Sequence, residues 1–282
     1  MSSRGDEIGK SVSMWLDQRE STPPWPSTLP SWLAPCELEE LNCFRAPNRR
    51  CDWISGRWCA KQLLRQMVSD ATDSPLTWQI LSRASMRRGC RPTVFRNGIQ
   101  QPIDLSLAHC ASITVAVAGQ HRPSVDRRDV PRIGVDAVDR TELPDSFART
   151  WFSSAERRLL QDHRWPIAAG WAAKEAVFKA CNGGEAFRPG RVRMIEITAE
   201  GCTVAYTNHS LANVHINVVD DAIIAVALSN SLFRSPPQSP GRSVRSERGG
   251  FWRRQDCWHR WGIDWGNPPL AALDPPAHGR VT

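Results

Sequence analysis

A carboxylate on an apolar helix face suggests cation chemistry. Residues 171–179, WAAKEAVFK, are rich in good helix formers. With about 3.6 residues per turn, Glu175 lies on the same face as Trp171 and Phe178. A charge there is unfavourable unless a cation pairs with it, and the candidates are Lys179 and a metal ion. The alternative is an ordinary surface pair of Glu175 and Lys179, worth about 0.2–0.5 kcal/mol.

A second carboxylate lies inside a predicted strand at 132–140, RIGVDAVDR. Alternation places Asp136 on one face with Gly134 and Val138. Asp has a low strand propensity, so another interaction is expected to offset its presence. Gly134 leaves room for the close approach of a ligand or of another backbone.

Residues 151–156, WFSSAE, begin another predicted helix with its body at 154–163. Ser153 and Glu156 have the S-x-x-E spacing of a capping box, in which each side chain bonds the other residue's backbone N–H. This spacing favours a capping role for Glu156.

The N-terminal part combines a predicted helix at 49–67 with short strands. The helix begins with basic residues that include Arg57, and these are either solvated charges or part of an anion site. His109 precedes an apolar run at 113–118, which is typical of a strand buried on both sides. A lone histidine at such an edge is more often structural than functional.

Strand patterns also follow the 171–179 helix, and the last, at 222–228, resembles the run at 111–118. Each half therefore combines a helix with strands and ends in a small-apolar strand. We expect an α+β fold built by internal duplication. The remaining strands are predicted at 192–198, 202–207 and 214–219. The expected domains are a poorly ordered N-terminus at 1–30, halves at 31–120 and 121–230, and a disordered tail at 231–282.

Composition narrows the class of protein. The 282 residues are 41% hydrophobic, and no run approaches the ~20 apolar residues of a membrane span. The N-terminus lacks the layout of a signal peptide. Nine scattered cysteines form no C-x-x-C pair, which argues against a zinc site or a disulfide framework. We expect a cytoplasmic protein with reduced thiols and no membrane partner.

The net charge of +7 is concentrated in the tail. Residues 231–282 contain eight Arg against four acidic residues, a net +4 that leaves only +3 on residues 1–230. Arg interleaved with Trp could stack on single-stranded nucleic acid. A tail that binds nothing is the favoured interpretation, and nucleic acid is not expected as a partner.

Three motifs follow one another at regular spacing: Gly-Val-Asp at 134–136, F-S-x-x-E at 152–156 and W-x-x-K-E-A-x-x-K at 171–179. Together they resemble the 4′-phosphopantetheinyl transferases, and most closely the surfactin-synthetase-activating type with two similar halves. Upstream, Arg-Pro at 91–92 resembles that family's G-K/R-P element. Residues 105–110 resemble its N-I-S-H-S element, so that the resemblance covers roughly 45–230.

The resemblance implies a fold and a reaction. The fold would be a pseudo-twofold pair of α+β subdomains with antiparallel sheets and the active site at their interface. The phosphopantetheine arm of coenzyme A would pass to a serine of an apo acyl or peptidyl carrier protein, which is holo-[acyl-carrier-protein] synthase activity. Adenosine 3′,5′-bisphosphate would be released. Two halves in one chain would make a monomer sufficient.

The resemblance also assigns roles to individual residues. Asp136 and Glu175 would hold Mg²⁺, a hard cation that prefers oxygen ligands and neutralises a pyrophosphate under attack. Lys179 would hold a pyrophosphate oxygen, and Glu156 would be a general base for the attacking serine as an alternative to its cap. Arg91 and His109 would contact coenzyme A, and Lys174 would serve either coenzyme A or the fold. Arg57 is a further candidate for a coenzyme A contact, without a counterpart in the family's motifs.

Three positions depart from the family pattern. Many relatives carry a second acid two residues after the first, where this chain has Val138. Asp139 would point to the opposite strand face, so a water would take that ligand's place. Cys110 replaces the serine of the H-S element and Cys90 replaces the glycine before Arg-Pro. These departures support an alternative, a non-catalytic module that binds coenzyme A or a carrier protein.

Overall fold

Antiparallel strand pairing organises the part of the chain that the computed structural model describes. This part comprises residues 12–18, 30–67, 74–82, 91–120, 132–181, 186–199, 201–206 and 210–229. Its elements are β1 (Val12–Gln18), α1 (Pro35–Asn42), α2 (Pro47–Met67), β2 (Trp78–Leu81), β3 (Thr93–Arg96), β4 (Ile99–Gln100), β5 (Ile103–His109), β6 (Ile113–Gln120), β7 (Ile133–Asp139), α3 (Asp145–Trp151), α4 (Ser154–Asp162), α5 (Ile167–Cys181), β8 (Val192–Ile197), β9 (Gly201–Tyr206), β10 (Ser210–Val219) and β11 (Ala222–Ser229). The predicted α+β class with antiparallel sheets is confirmed.

The largest sheet has the strand order β7-β11-β10-β9-β8. The small-apolar strand β11 lies between β7 and β10, where its backbone pairs on both edges. In the register of that pairing, Asp136 lies opposite Ala225. A second sheet has the order β1-β6-β5, so that β6, the other small-apolar strand, is likewise central. Both strands are buried over nearly their whole length because each also packs against neighbours on both faces.

The close approach of β7 to α5 is fixed by Gly134. A methyl group at this position would overlap the carbonyl oxygen of Ala176 and lie 2.5 Å from the amide nitrogen of Ala180. The buried face of α5 consists largely of alanines, which lets the helix backbone reach the strand. Gly134 therefore admits another backbone, one of the two possibilities that the sequence leaves open. Asp136, two residues on, lies on the same strand face.

Three apolar layers hold the sheets and helices together. The face of the five-stranded sheet that carries Gly134 packs against α5. Its other face, with Ile133 and Val135, packs against Val115 and Val117 of β6. The far side of β6 packs against α2 through residues that include Leu63. The two long helices thus lie on the outer sides of a shared core. No helix in the described residues is long and apolar enough to cross a membrane.

Three elements differ from the sequence prediction. The strand β1 lies within the segment 1–30 that was expected to be poorly ordered, and it pairs with β6 through backbone hydrogen bonds that composition does not reveal. The prediction of poor order is wrong for these seven residues. The strand β2 is too short for a clear period, and α3 ends at Trp151, where the sequence suggests that a helix begins. The segments 121–131 and 230–282, which include the predicted tail, lie outside the described residues.

Replacing Gly134 with alanine should lower the free energy of unfolding by about 1–3 kcal/mol, because the backbone of α5 cannot yield as a side chain would. Gly190→Ala is the matched control, since a methyl group there would meet nothing within 4 Å. Urea unfolding measures both variants. Equal midpoints for Gly134→Ala and Gly190→Ala would contradict the assignment.

Candidate active site

Asp136, Glu175 and Lys179 form a cluster where β7 meets α5. Lys179 Nζ lies 2.7 Å from Oδ1 of Asp136 and also donates to the carbonyl oxygen of Leu107 at 3.4 Å. The side chain of Trp171 hydrogen-bonds to the Glu175 carboxylate. The structure therefore brings together three residues that the sequence singles out on two separate elements.

This cluster is not an ordinary surface pair of Glu175 and Lys179. The ammonium of Lys179 makes its ion pair with Asp136, whose side chain is only 7% exposed. Glu175 itself is partly buried and interacts with the side chains of both Trp171 and Asp136. The interaction thus joins α5 to β7 instead of running along one helix.

The charge of Asp136 makes ionisation of Glu175 less favourable. Burial raises the pKa of Asp136, and the charge and hydrogen bond of Lys179 oppose that shift. Burial and then the charge of Asp136 raise the pKa of Glu175 to about 7. The two groups also lie within hydrogen-bonding reach, which raises the Glu175 pKa further. One lysine therefore leaves this pair of acids short of positive charge.

A divalent cation fits this donor set. Two carboxylates from different elements share one partly buried place, and a hard cation binds such oxygens and favours their ionised forms. Among the described residues no group of three or more His, Cys, Asp or Glu side chains is arranged to hold a metal. Asp136 and Glu175 would therefore supply two protein ligands, and substrate oxygens or water would supply the others.

A cavity of about 290 Å³ opens beside the cluster, between α2, β5 and the end of α5. Lys179 contributes to both the cluster and the cavity wall. The other basic side chains that line it are Arg49, Arg57, Arg91 and His109. The apolar side chains of Trp53 and Leu107 also line the cavity. This mixed lining suits a ligand that has both a flat apolar part and negative charges.

His109 ends β5 at the rim of the cavity. Its Nε2 lies 3.0 Å from Oδ2 of Asp52, a residue of α2 that also lines the cavity. The carboxylate fixes the orientation of the imidazole. Sequence reasoning finds His109 but not Asp52, because only the packing of α2 against β5 brings the two together.

Arg57 is almost wholly buried, at 3% exposure, on the wall of the cavity. Its Nη2 donates to Oε1 of Glu40 at 2.8 Å and to the Ser82 hydroxyl at 2.6 Å. The guanidinium also lies 4.5 Å from the ring of Trp53. Of the two interpretations offered by the sequence, solvated charge is therefore wrong for Arg57, whose guanidinium is held in place by α1.

A second buried ion pair reinforces the same region. Lys61 Nζ lies 2.6 Å from Oε2 of Glu37, and both side chains have no exposure. Glu37 also accepts hydrogen bonds from the backbone of Ala34 and Ile80, so that it joins α1 to α2 and β2. Sequence reasoning misses this pair. The available signal is spacing. Glu37 and Glu40 are three residues apart on α1, and Arg57 and Lys61 are four apart on α2, so each pair lies on one helix face.

Arg91 also lines the cavity, but its terminal nitrogens are held by the protein. They donate to three backbone carbonyls, those of Ile133, Lys179 and Ala180, and to Asp104. The neighbouring Cys90 lies outside the described residues. Arg91 thus joins the N-terminal strands to β7 and to the end of α5.

Glu156 and Lys174 lie in a separate buried network. Lys174 Nζ lies 2.9 Å from Oε1 of Glu156 and donates to the carbonyl oxygen of Trp151 at 3.0 Å. Glu156 also accepts from the amides of Met194 and Ser153 and from the Ser153 hydroxyl. Burial alone would raise the pKa of Glu156, but its hydrogen bonds hold the pKa below the ordinary value. The capping box is present, and these contacts favour it over a general base.

The departure at Val138 leaves the cluster without a third acid. Val138 lies on the face of β7 that packs against the α5 core. Asp139 points away and accepts hydrogen bonds from Ala111 and Ser112 in the turn after β5. As the alternation of the strand predicts, Asp139 does not replace the missing ligand.

A known protein family matches the part of the chain that carries this cluster. Residues 132–227 match the model of the 4′-phosphopantetheinyl transferase superfamily. The match runs from β7 into β11 and includes Asp136, Glu175 and Lys179. Comparison with curated proteins returned no match to this chain. Over residues 132–227 the chain is thus similar to the 4′-phosphopantetheinyl transferase superfamily.

Proposed function

We propose that the protein transfers the 4′-phosphopantetheine arm of coenzyme A to a serine of an apo acyl or peptidyl carrier protein. The single observation behind this proposal is the joining of Asp136, Glu175 and Lys179 beside a cation-lined cavity, within the region that is similar to the transferase superfamily. In the reaction the serine oxygen bonds to the phosphorus that carries pantetheine. The pyrophosphate P–O bond breaks, adenosine 3′,5′-bisphosphate leaves, and the serine proton passes to a base or to solvent.

Asp136 and Glu175 would hold Mg²⁺ in this proposal. When bound, the ion would neutralise charge on the pyrophosphate and help to align its oxygens. The pair is suited to this because both side chains are withdrawn from water, which raises the pKa of each carboxyl group, and a bound cation would favour their ionised forms. With Val138 in place of a third acid, two protein carboxylates are the whole of the proposed ligand set in this region.

Lys179 would bind a pyrophosphate oxygen. Its ammonium already lies between the carboxylates and the cavity and is 30% exposed, so it can contact a ligand without leaving the cluster. A cation held at this point stabilises negative charge as it develops on the leaving phosphate.

The nucleotide of coenzyme A would lie in the cavity. Arg49, Arg57 and His109 would face its phosphates, and the indole of Trp53 would face the base. Arg57 is anchored by Glu40 and His109 by Asp52, so neither side chain must be ordered when the ligand binds. The carrier protein, the monomeric state and the cytoplasmic location expected from the sequence stay predictions.

The first test is transfer itself. Intact-protein mass spectrometry of apo carrier proteins, mixed with the full chain, coenzyme A and Mg²⁺, should show a phosphopantetheine adduct. Asp136→Asn and Glu175→Gln should each lower kcat/KM by about 10²-fold or more, because each removes a ligand for charge neutralisation. Glu142→Gln, an exposed acid on the loop before α3, is the matched control. No adduct on any carrier that a known transferase modifies in parallel would disprove the proposal.

The second test is pH. Because the ionised form of Glu175 binds a cation, metal affinity of the substrate-free protein should rise as pH rises through about 7. The change should approach about tenfold per pH unit below the pKa. The raised pKa also predicts that the metal-free fold loses stability as pH rises from 4.5 through about 7.

Calorimetric titration with Mn²⁺ and thermal unfolding, each below and above neutral pH, measure these two effects. Glu175→Gln is the control and should reduce both dependences, because it removes the ionisation of Glu175 and leaves that of Asp136. A wild-type affinity for Mn²⁺ that is the same on both sides of neutrality would contradict the assigned ionisation.

The third test separates a structural from a catalytic role of Glu156 and Lys174. Glu156→Gln alone leaves Lys174 charged, buried and without its partner, and should lower the free energy of unfolding by about 3–5 kcal/mol. Adding Lys174→Met removes that charge and should restore much of the stability. The double variant should keep its kcat, whereas the loss of a general base would lower kcat by about 10²-fold or more. Such a loss in a stable double variant would assign Glu156 to the chemistry.

A further inference from the structure

Arg91 has four of its five N–H groups committed to acceptors in the protein. Nη1 donates to the carbonyl oxygens of Lys179 at 2.6 Å and Ala180 at 2.7 Å. Nη2 donates to Oδ1 of Asp104 at 2.5 Å and to the carbonyl oxygen of Ile133 at 2.9 Å. Only the Nε–H is left over from the five donors of a guanidinium. A side chain whose fork is filled in this way is poorly placed to bind a phosphate directly.

Asp104 completes the arrangement from the strand β5. While Oδ1 accepts from Arg91, Oδ2 accepts from the amide of Ile133 at 2.6 Å. Arg91 and Asp104 therefore hydrogen-bond to the C=O and the N–H, respectively, of Ile133, the first residue of β7. Arg91 borders the cavity, whereas Asp104 is not one of the described residues that line it.

The acceptors on α5 lie in its last turn. Carbonyl groups there lack the partners that earlier turns have, and a cation at a helix C-terminus interacts favourably with the helix dipole. Lys179 supplies one of these carbonyls, and its own side chain makes the ion pair with Asp136. Arg91 thus contacts the backbone of the residue whose ammonium completes the cluster.

We propose that Arg91, held by Asp104, is a positioning residue that fixes the end of α5 and so places Lys179 beside Asp136. This inference rests on the proposed function, because Lys179 is the group through which Arg91 acts. It also departs from the role as a coenzyme A contact that the resemblance of the Arg-Pro element implies. The coupling reaches from the N-terminal strands to the cluster through a side chain and the helix backbone.

Asp104→Asn is the sharpest variant, because Asp104 lies outside the cavity lining. A weaker acceptor should loosen Arg91, and kcat should fall by up to about 10²-fold, the effect of misplacing a catalytic group by about 1 Å. KM for coenzyme A should change little. Arg91→Lys should act in the same way, since an ammonium cannot reproduce the flat fork of a guanidinium. Arg96→Lys is the matched control, because Arg96 ends β3 and its guanidinium lies 5.4 Å from the ring of Trp78.

The coupling to Lys179 has its own measurement. In a Lys179→Ala background, Asp104→Asn should no longer lower kcat, because the group that it displaces is gone. Its effect on the melting temperature should persist there. A merely structural role of Asp104 would instead lower kcat equally in both backgrounds.

Hydrogen exchange gives a readout that needs no activity. In the substrate-free protein, Asp104→Asn and Arg91→Lys should speed exchange in the last turn of α5 and leave β10 unchanged. Should the wild type transfer nothing, the proposed function fails and this exchange experiment still decides whether Arg91 fixes the helix end. A wild-type kcat in Asp104→Asn, together with a raised coenzyme A KM in Arg91→Lys, would overturn the inference in favour of direct contact. Unchanged exchange at α5 would overturn it as well.

Discussion

The contact between Gly134 and the backbone of α5 is the constraint on which the cluster depends. Side chains normally separate a strand from a helix packed on it, but here the missing Cβ of Gly134 lets the helix backbone approach the strand closely. At that separation the short side chain of Asp136 reaches Lys179, one turn beyond Glu175. The alanine-rich face of α5 serves the same end, because larger residues would hold the helix away. Proximity of the acids is thus a product of backbone packing and not of the side chains alone.

The close approach of Asp136 and Glu175 brings two acids together, and the single ammonium of Lys179 balances only part of their negative charge. Two acids and one lysine carry a net negative charge in a partly buried place, so protonation of Glu175 competes with any bound cation. The nearby cavity, in contrast, is rich in positive charge. A ligand that carries both a metal ion and phosphate groups would neutralise the negative charge of the cluster and the positive charge of the cavity together. A metal ion alone or a phosphate alone would neutralise only one of the two.

Sequence reasoning succeeds here where the signal is local. The capping box at Ser153 and the small-apolar strands β6 and β11 are each predicted from residues that are neighbours in the sequence. The pairing of Asp136 with α5 is found from motif order. The long-range partners are not found, because Asp52, Glu40 and Asp104 acquire meaning only after two elements pack. Strand β1 is missed for the same reason, since its partner β6 lies about a hundred residues away.

The paired charges beneath the cavity bear on how this chain can change over generations. Losing Glu37 alone would leave the Lys61 ammonium buried without an acid, although it would still donate to the backbone carbonyl of Trp32. Such a single step is strongly destabilising, whereas an apolar exchange of both members is often neutral. The same holds for Glu40 and Arg57, with the difference that Arg57 also faces the ligand space. Substitution of Glu37 or Lys61 is therefore limited only by the need to change both residues together. Substitution of Glu40 or Arg57 is limited by the same need and also by the position of Arg57 at the cavity.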